Sequence, residues 1–365
     1  MIPYIEIKDK YTLKSVGLIE PQECWLEISY QDVGEFEVYC KATSKALKLL
    51  KKGRYVMIPN ERFIWVITSV KYTNTADRKR MILAKGYEAK WLLGKRCILT
   101  PKELQGTITK AIYGLVNNNL GTGASAERKI TGFAVDTNDL LIDISGTQAP
   151  RANLLEFVNP LLKNFGCGSI VEFVNGVLKY RIFTGDIKTH SVKFSQSLDN
   201  LLSSDYLTDD TELATYALVV STFDETKTDA NGVEQKYKVD YLKEVNKDVA
   251  LQGIDRAEIV VESNLSTKYE DANGNELDAA PTSSLYQSWQ KQEGYNKLAE
   301  HITIEEINGE LDIANSTYEF DTDFFLGDRV RVQDEYFNFF VDPIITKYTF
   351  KQDTSSYGEE AEYGG

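Results

Sequence analysis

The stretch that decides the fold is WLEISYQDVGEFEVYCKATSKALKLLKKGRYVMIPNERFIWVITSVKYTNTADRKRMILAKGYEAKWLLGKRCIL, residues 25–99. Apolar and polar residues alternate on both sides of a turn at Gly34 with the period of two that is typical of half-buried strands. Further strands are predicted over 54–58, 63–72 and 79–87. The residues predicted to point inward in the first strand pair are Cys24, Leu26, Ile28, Tyr30, Phe36, Val38 and Cys40.

A short helix interrupts these strands. Thr43 has the side chain of an N-cap, Leu47 and Leu50 are predicted to face inward, and Gly53 is predicted to end the helix at the C′ position. The stretch therefore indicates a compact, barrel-like β module with one helix across it, and it contains no pattern that suggests catalysis.

A second helix is predicted after Cys97. Thr100-Pro101-Lys102-Glu103 reads as a capping box with proline at the first helical position. Residues 117–123 are expected to end this helix. Its predicted apolar face consists of Leu104, Ile108, Ile112 and Leu115.

The next segment predicts a helix followed by a hairpin. Asn153 is the expected helix cap, and Pro160 lies inside the apolar pattern, so the helix should restart or kink there. The sequence 169–183 reads as two strands joined by Asn175-Gly176, the usual pair for a type I′ turn. Residues 101–190 are thus predicted to form a small α+β domain inserted after the first module.

Strand patterns return from residue 193. Segments 216–223 and 236–242 predict a long hairpin, and 284–302 predicts a helix. Asn308-Gly309 predicts another hairpin turn. After a turn at Gly327, Val330 and Val332 are expected to point inward and Arg329 and Arg331 outward.

A chain of 365 residues is longer than one hydrophobic core usually fills. The predicted fold class is mainly β (α+β), with two barrel-like antiparallel β domains, a small α+β insert and a helical excursion. The predicted boundaries are 1–100 for the first barrel-like domain, 101–190 for the insert, 191–350 for the second barrel-like domain with its helix near 284–302, and 351–365 for a flexible acidic tail.

Charge and cysteine usage exclude several classes of protein. The net charge of −14 argues against sequence-independent binding of nucleic acid, which needs clustered Lys and Arg. The start MIPYIEIKDK lacks a signal-peptide pattern, and no apolar run is long enough for a membrane span. Cys24, Cys40, Cys97 and Cys167 lack metal-site spacing, and we expect three of them, all but Cys97, to be buried thiols.

The polar residues suggest no active site. His190 and His301 occur without a catalytic signature, so we expect structural roles for both. Asp271-Ala-Asn273-Gly-Asn275 only superficially matches a calcium loop and predicts a turn, as does the related tip at Asp229. Glu305 and Glu306 are neighbours in a predicted strand and point to opposite faces. We therefore predict no catalytic, cofactor-binding or metal-binding residues and no cofactor.

Four blocks, in this order, resemble one family of proteins. They are DVGEFE (32–37) with the following helix, GRYVMIP and WVITSV; KRMILAKGYEA running into WLLGKRCIL; SLDNLLSSDYLTDDTELATYALVV; and GYNKLAE with FLGDRVRV and the final strands. The chain resembles the siphophage tail-tip hub family, known best from the N-terminal structural regions of tail-associated lysins and similar to the central hub of contractile tails.

The resemblance implies a homotrimer in which two barrel-like domains per subunit form a pseudo-hexameric ring. Implied partners are the distal tail protein, the tape-measure protein and a tail fibre or receptor-binding protein. The ring would close the tail channel and open for phage DNA, which passes through the lumen without specific binding. The implied location is the virion tail tip, after assembly in the host cytoplasm.

Many tail-associated lysins continue into a fibre or peptidase region. Because this chain stops at Gly365, we expect that hydrolase region to be absent.

Two alternatives from other classes stay open. One is a cell-wall hydrolase, that is, a tail-associated endopeptidase or lysin. The other is a receptor- or carbohydrate-binding module that uses exposed Tyr and Trp; the Asp-Ala-Asn-Gly tips contain few aromatic residues, which disfavours a stacking platform. The interface residues of the trimer are not predicted by the sequence.

Overall fold

A computed structural model describes residues 2–74, 80–229, 232–247, 251–271, 273–301, 304–336, 339–353 and 356–364. None of the helices in these ranges has the length and apolar character that crossing a membrane requires. The helices are α1 (Ser44–Leu49), α2 (Ile108–Leu120), α3 (Leu154–Asn164) and α4 (Ser284–Glu300), with 3₁₀ turns at Ala89–Lys95, Gln196–Leu198 and Gly253–Asp255. The strands are β1 (Ile5–Lys8), β2 (Ser15–Ile19), β3 (Glu23–Ser29), β4 (Glu35–Lys41), β5 (Tyr55–Met57), β6 (Trp65–Thr73), β7 (Met81–Glu88), β8 (Lys102–Leu104), β9 (Phe133–Val135), β10 (Thr147–Ala149), β11 (Gly168–Val174), β12 (Val177–Phe183), β13 (Lys193–Ser195), β14 (Leu201–Asp209), β15 (Tyr216–Thr228), β16 (Glu234–Asn246), β17 (Glu258–Glu262), β18 (Lys268–Glu270), β19 (Glu276–Asp278), β20 (Ile304–Asp312), β21 (Arg331–Asp334), β22 (Phe339–Val341), β23 (Ile344–Gln352) and β24 (Tyr357–Gly364).

An eleven-stranded sheet joins the two ends of the chain. Its order is β14-β20-β24-β23-β3-β4-β7-β6-β5-β1-β2, and its neighbouring strands are antiparallel. The pairing of β3 with β23 brings strands of both predicted barrel-like regions into one sheet. The predicted mainly β, α+β class is confirmed, whereas the predicted domain boundaries stay a prediction.

The predicted alternation of the first strands is confirmed, since all seven residues expected to point inward are buried. They belong to a core that also contains Leu311, Val330, Val332 and Tyr363 from the C-terminal region. Arg329 is exposed and Arg331 is half-buried, as the alternation after Gly327 predicts. One core therefore lies under strands from both ends of the chain.

Helix α1 begins where the sequence predicts and ends earlier. The Thr43 Oγ1 accepts a hydrogen bond from the Ala46 N–H at 3.0 Å. The inward assignment of Leu47 is wrong, because Leu49 and Leu50 occupy the buried side of this short helix while Leu47 is 50% exposed. The C′ assignment of Gly53 is also wrong: its φ of +83° serves the turn into β5, where its N–H donates to the Ile67 carbonyl.

The predicted capping box at 100–103 is wrong. Lys102–Leu104 forms β8, which pairs with β10 and β18, so tertiary strand pairing outweighs the local helix signal. Helix α2 starts later, after Thr107, and buries Ile108, Ile112 and Leu115 as predicted. Its apolar face packs in a second core shared with residues of β5 and β6.

The inserted segment follows its local signals closely. The Asn153 side chain accepts from the N–H groups of Leu155 and Glu156 and caps α3. The predicted restart at Pro160 is wrong, because α3 continues through this residue as one helix. Strands β11 and β12 pair around Asn175 and Gly176, whose φ values of +51° and +82° are those of a type I′ turn.

The long predicted hairpin is present as β15 and β16, which pair over thirteen residues each. With β17 they form a three-stranded sheet in which β15 is central. Helix α4 covers one face of this sheet. Gly294 allows the close approach, because a Cβ there would lie 2.7 Å from Val245 Cγ2.

The hairpin turn predicted at Asn308-Gly309 is wrong. Strand β20 runs straight through both residues and pairs with β14. A Cβ at Gly309 would lie 2.2 Å from the Ser203 carbonyl oxygen and 2.2 Å from the Tyr363 Oη. Glycine is needed here because the neighbouring strands pack closely against its backbone. The Asn-Gly pattern alone does not distinguish this role of glycine from its role in a turn.

The prediction of a flexible acidic tail is wrong as well. Strand β24 lies inside the large sheet, between β20 and β23. Ala361 and Tyr363 are buried, and the alternating residues Glu360 and Glu362 lie on the other face. There Glu360 and Glu362 form ion pairs of 3.1 Å with Lys351 and Lys347, so the negative charges that suggested flexibility stabilise strand pairing.

Tyr363→Ala tests this placement. We expect a loss of about 3–5 kcal/mol in the free energy of unfolding, because a fully buried aromatic side chain is removed from the shared core. Tyr11→Ala is the matched control, since Tyr11 is 68% exposed. Urea denaturation measures both; equal small effects would contradict the buried position of β24.

Candidate functional site

The candidate ligands and catalysts of the sequence analysis belong to different elements of the structure. His301 follows the last residue of α4, and its Nδ1 lies 3.2 Å from the Glu212 carbonyl oxygen. Asp271 Oδ1 accepts from the N–H groups of Asn273 and Asn275, so it holds a turn between β18 and β19. Glu305 and Glu306 are consecutive in β20, as predicted.

The cysteines also follow the prediction. Cys24, Cys40 and Cys167 are buried free thiols, and Cys97 is exposed. Burial raises the pKa of Cys24 to about 12 and that of Cys40 to about 11, so these thiols stay protonated at neutral pH. Within the ranges that the structure describes, no group of three or more His, Cys, Asp or Glu residues could hold a metal ion.

The most unusual chemistry lies where β3 meets β23, in a group of five charged residues that we call the charged seam: Glu27, Glu88, Lys90, Lys347 and Glu362. Lys90 is fully buried. Its Nζ lies 2.9 Å from Glu88 Oε1 and donates to the carbonyl oxygens of Ser29 and Ser169, each at 2.9 Å. Glu88 Oε2 accepts from the Ser29 N–H at 3.1 Å. These contacts tie β3, the end of β7 and β11 together.

Glu27 is the poorly neutralised member of the charged seam. Its nearest described cation is Lys347, with Nζ 3.9 Å from Oε2, and Lys347 lies closer to Glu362, at 3.1 Å. Burial therefore dominates and raises the pKa of Glu27 from 4.5 to about 7. Burial lowers the pKa of Lys347, but the carboxylates of Glu27 and Glu362 outweigh this effect and raise it.

Tyr30, the residue after β3, forms an apolar junction next to the charged seam. Its Oη donates to the Gly166 carbonyl at 2.8 Å. A Cβ at Gly168 would lie 2.1 Å from the Tyr30 ring, and one at Gly327 would lie 2.4 Å from it. Only glycine allows both backbones to approach this ring, so Tyr30 joins the first module, the insert and the C-terminal region.

A cluster of rings continues this junction. Phe320 stacks on Tyr348 with ring centroids 3.7 Å apart, and Phe63 packs between Phe350 and Phe325. Beside it, a cavity of about 480 Å³ is lined in part by Glu61, Glu359 and Tyr357.

The cavity offers little reactive chemistry. Glu359 accepts hydrogen bonds from the hydroxyls of Tyr348, at 2.5 Å, and Tyr357. Burial and the Glu359 charge raise the pKa of both tyrosines, which keeps them protonated. Glu61 has a raised pKa because of burial and the nearby charges of Asp321 and Glu359. Carboxylates and aromatic rings thus share a cavity without an activated nucleophile among its described residues.

The sequence signals for these features are partial. Alternation predicts Tyr30 and its neighbours as buried, but nothing local shows that Glu27 and Lys347 meet, because they are 320 residues apart. Lys90 lies in a 3₁₀ turn that no pattern marks as buried. The sequence of residues 344–352 predicts a strand, but it does not show that this strand pairs with β3.

The fold is similar to that of three tail proteins, two of which come from prophages. The tail protein of Neisseria meningitidis MC58 superposes with a TM-score of 0.54 at 10% identity, covering 99% of this chain and 96% of that one. Prophage tail protein gp18 from Listeria monocytogenes EGD-e gives 0.50 at 13% identity, covering 99% and 94%. The 43 kDa tail protein of prophage MuSo2 from Shewanella oneidensis gives 0.51 at 14% identity, covering 99% and 97%.

The family model of the Siphovirus ReqiPepy6 Gp37-like proteins matches residues 6–364. The chain therefore belongs to that family. A comparison with curated protein sequences gives no match.

Lys90→Met tests the buried ion pair. We expect a loss of about 3–5 kcal/mol in the free energy of unfolding, because Glu88 is left as an unpaired buried charge. The double variant Glu88→Gln/Lys90→Met should be more stable than Lys90→Met alone, since that charge is gone. Urea denaturation compares the three proteins, and a double variant less stable than Lys90→Met would contradict this account.

The raised pKa of Glu27 predicts a pH dependence. The folded state binds this proton more tightly than the unfolded state, so the contribution of Glu27 to stability is full below about pH 4.5 and is lost as the pH rises through about 7. Glu27→Gln should therefore gain stability relative to the wild type between pH 5 and 8. Denaturation at several pH values measures this difference; a constant difference would show that Glu27 titrates normally.

Proposed function

We propose that the protein is a structural component of a siphophage tail tip, a baseplate hub that acts without catalysis. The observation that carries the proposal is that three tail proteins, two of them from prophages, share this fold over almost their whole lengths. Membership of a siphovirus family supports the same context. The charged seam and the junction at Tyr30 connect distant segments of the fold. Such contacts are expected in a protein with a structural role.

In the proposed virion the chain forms a trimeric ring at the tail tip, after assembly in the host cytoplasm. The ring docks on the distal tail protein, lies below the tape-measure protein and accepts a tail fibre or receptor-binding protein. It closes the tail channel and opens for DNA. Three chains of −14 carry about −42 charges, and a lumen lined with part of them repels phosphate groups, so DNA passes without being bound.

The oligomeric state tests this proposal. Light scattering after size exclusion should give the mass of a trimer, and negative-stain images should show a ring with three-fold symmetry. Duplex DNA should give no electrophoretic shift. A monomer at micromolar concentration would contradict the proposed hub.

Incubation with host peptidoglycan separates the hub from the alternative of a cell-wall hydrolase. We expect no soluble muropeptides, because the described carboxylates of the aromatic cavity lie beside protonated tyrosines and no activated nucleophile. Release of muropeptides would instead support the hydrolase. Retention of the isolated chain on host cells would support a receptor-binding module.

A further inference from the structure

One segment is strongly basic in an acidic chain. Residues 41–54 contain five lysines and one arginine, without an aspartate or glutamate. Helix α1 turns Ala46 and Leu49 inward and leaves Leu47 half exposed between charged neighbours. We call this surface the basic patch; it consists of Leu47, Lys45, Lys48, Lys51 and Lys52.

The basic patch has no internal partner among the described residues. Its four lysines are exposed, and none of them forms an ion pair with another described side chain. Beside Lys45 a cavity of about 330 Å³ is lined by Tyr4, Leu18, Glu20 and Lys41, among others. The lysines of the basic patch thus surround the exposed side chain of Leu47, and Glu20 is an acidic residue at the neighbouring cavity.

A surface of opposite character lies on the β16-β15-β17 sheet. Helix α4 covers the face that carries Val219 and Val245. On the other face Leu242 is 58% exposed and Val260 is 65% exposed. Register places Leu242 beside Val220, and Val260 beside Leu218, so four apolar side chains form one area.

The rim of this area is acidic. Strand alternation places Asp240, Glu244, Glu258 and Glu262 on the same face, and all four are exposed. Arg256 pairs with Glu258, and Lys238 lies on the same face beyond Asp240, in register with Asp224. Lys243 lies on the opposite face, where its Nζ donates to Gln287 of α4 at 3.4 Å. We call this surface the acidic patch; it consists of Leu218, Val220, Leu242, Val260 and the four acidic residues.

We propose that the basic patch of one copy binds the acidic patch of the next copy. Both patches are exposed in the same chain, so neither covers the other. Two different patches that bind each other make a heterologous contact, which generates a ring when the rotation closes. Chains of net charge −14 repel one another, and the complementary patches supply the local attraction that fixes their orientation. This inference rests on the proposed ring of three copies.

Charge exchange tests the pairing. Lys45→Glu/Lys48→Glu alters only the basic patch, and Glu244→Lys/Glu262→Lys alters only the acidic patch. Each should raise the dissociation constant of the trimer by at least about 100-fold, because like charges then face each other. A chain with all four substitutions should assemble again, since the charges are exchanged on both sides. Lys129→Glu/Lys268→Glu is the control for the basic-patch variant, with the same change in net charge on exposed lysines outside the patches.

Sedimentation velocity measures assembly, and thermal unfolding checks that each variant is folded. A trimeric wild type whose patch variants remain trimeric would overturn this inference and leave the proposed hub intact. Dissociation of both patch variants without recovery in the four-fold variant would also overturn it. A monomeric wild type would contradict the proposed hub and this pairing together.

Discussion

The pairing of β3 with β23 is the constraint on which the rest of the structure depends. It places the N-terminal and C-terminal strands in one sheet and puts Leu26 and Phe350 in one core. Tyr30, directly after β3, then extends the connection to the insert through Gly168. A change in the register of β3 would turn its buried residues to the opposite face, so the three regions cannot shift independently.

The charges at this pairing act in two different ways. Lys90 and Glu88 form a buried ion pair, and backbone groups of Ser29 and Ser169 hydrogen-bond to it, so the pair fixes a geometry more than it adds stability. Glu27 has no such balance, because Glu362 lies closer to Lys347. One position of the sheet therefore combines a fixed ion pair with a carboxyl group whose ionisation opposes folding.

Local signals in the sequence predict local structure. Thr43 and Asn153 cap helices, and Asn175-Gly176 forms the expected turn, because each depends on neighbouring backbone groups. The predictions for Lys102–Leu104, Gly309 and Tyr357–Gly364 are wrong because strands distant in sequence decide the conformation of these residues. The charged seam cannot be predicted locally for the same reason, since its members come from β3, the end of β7, the 3₁₀ turn that follows it, β23 and β24.

The two surface patches also differ in how far local sequence predicts them. The basic patch arises from one continuous segment, so its charge can be read from the sequence, although its exposure cannot. The acidic patch needs three strands in register, and Leu242 and Val260 become neighbours only across β15. The described buried charges of the charged seam already make structural contacts within the chain. A binding partner is therefore expected to contact exposed surfaces such as these two patches. Apolar area with a charged rim is the arrangement that subunit contacts use, because the rim sets orientation while the centre supplies affinity.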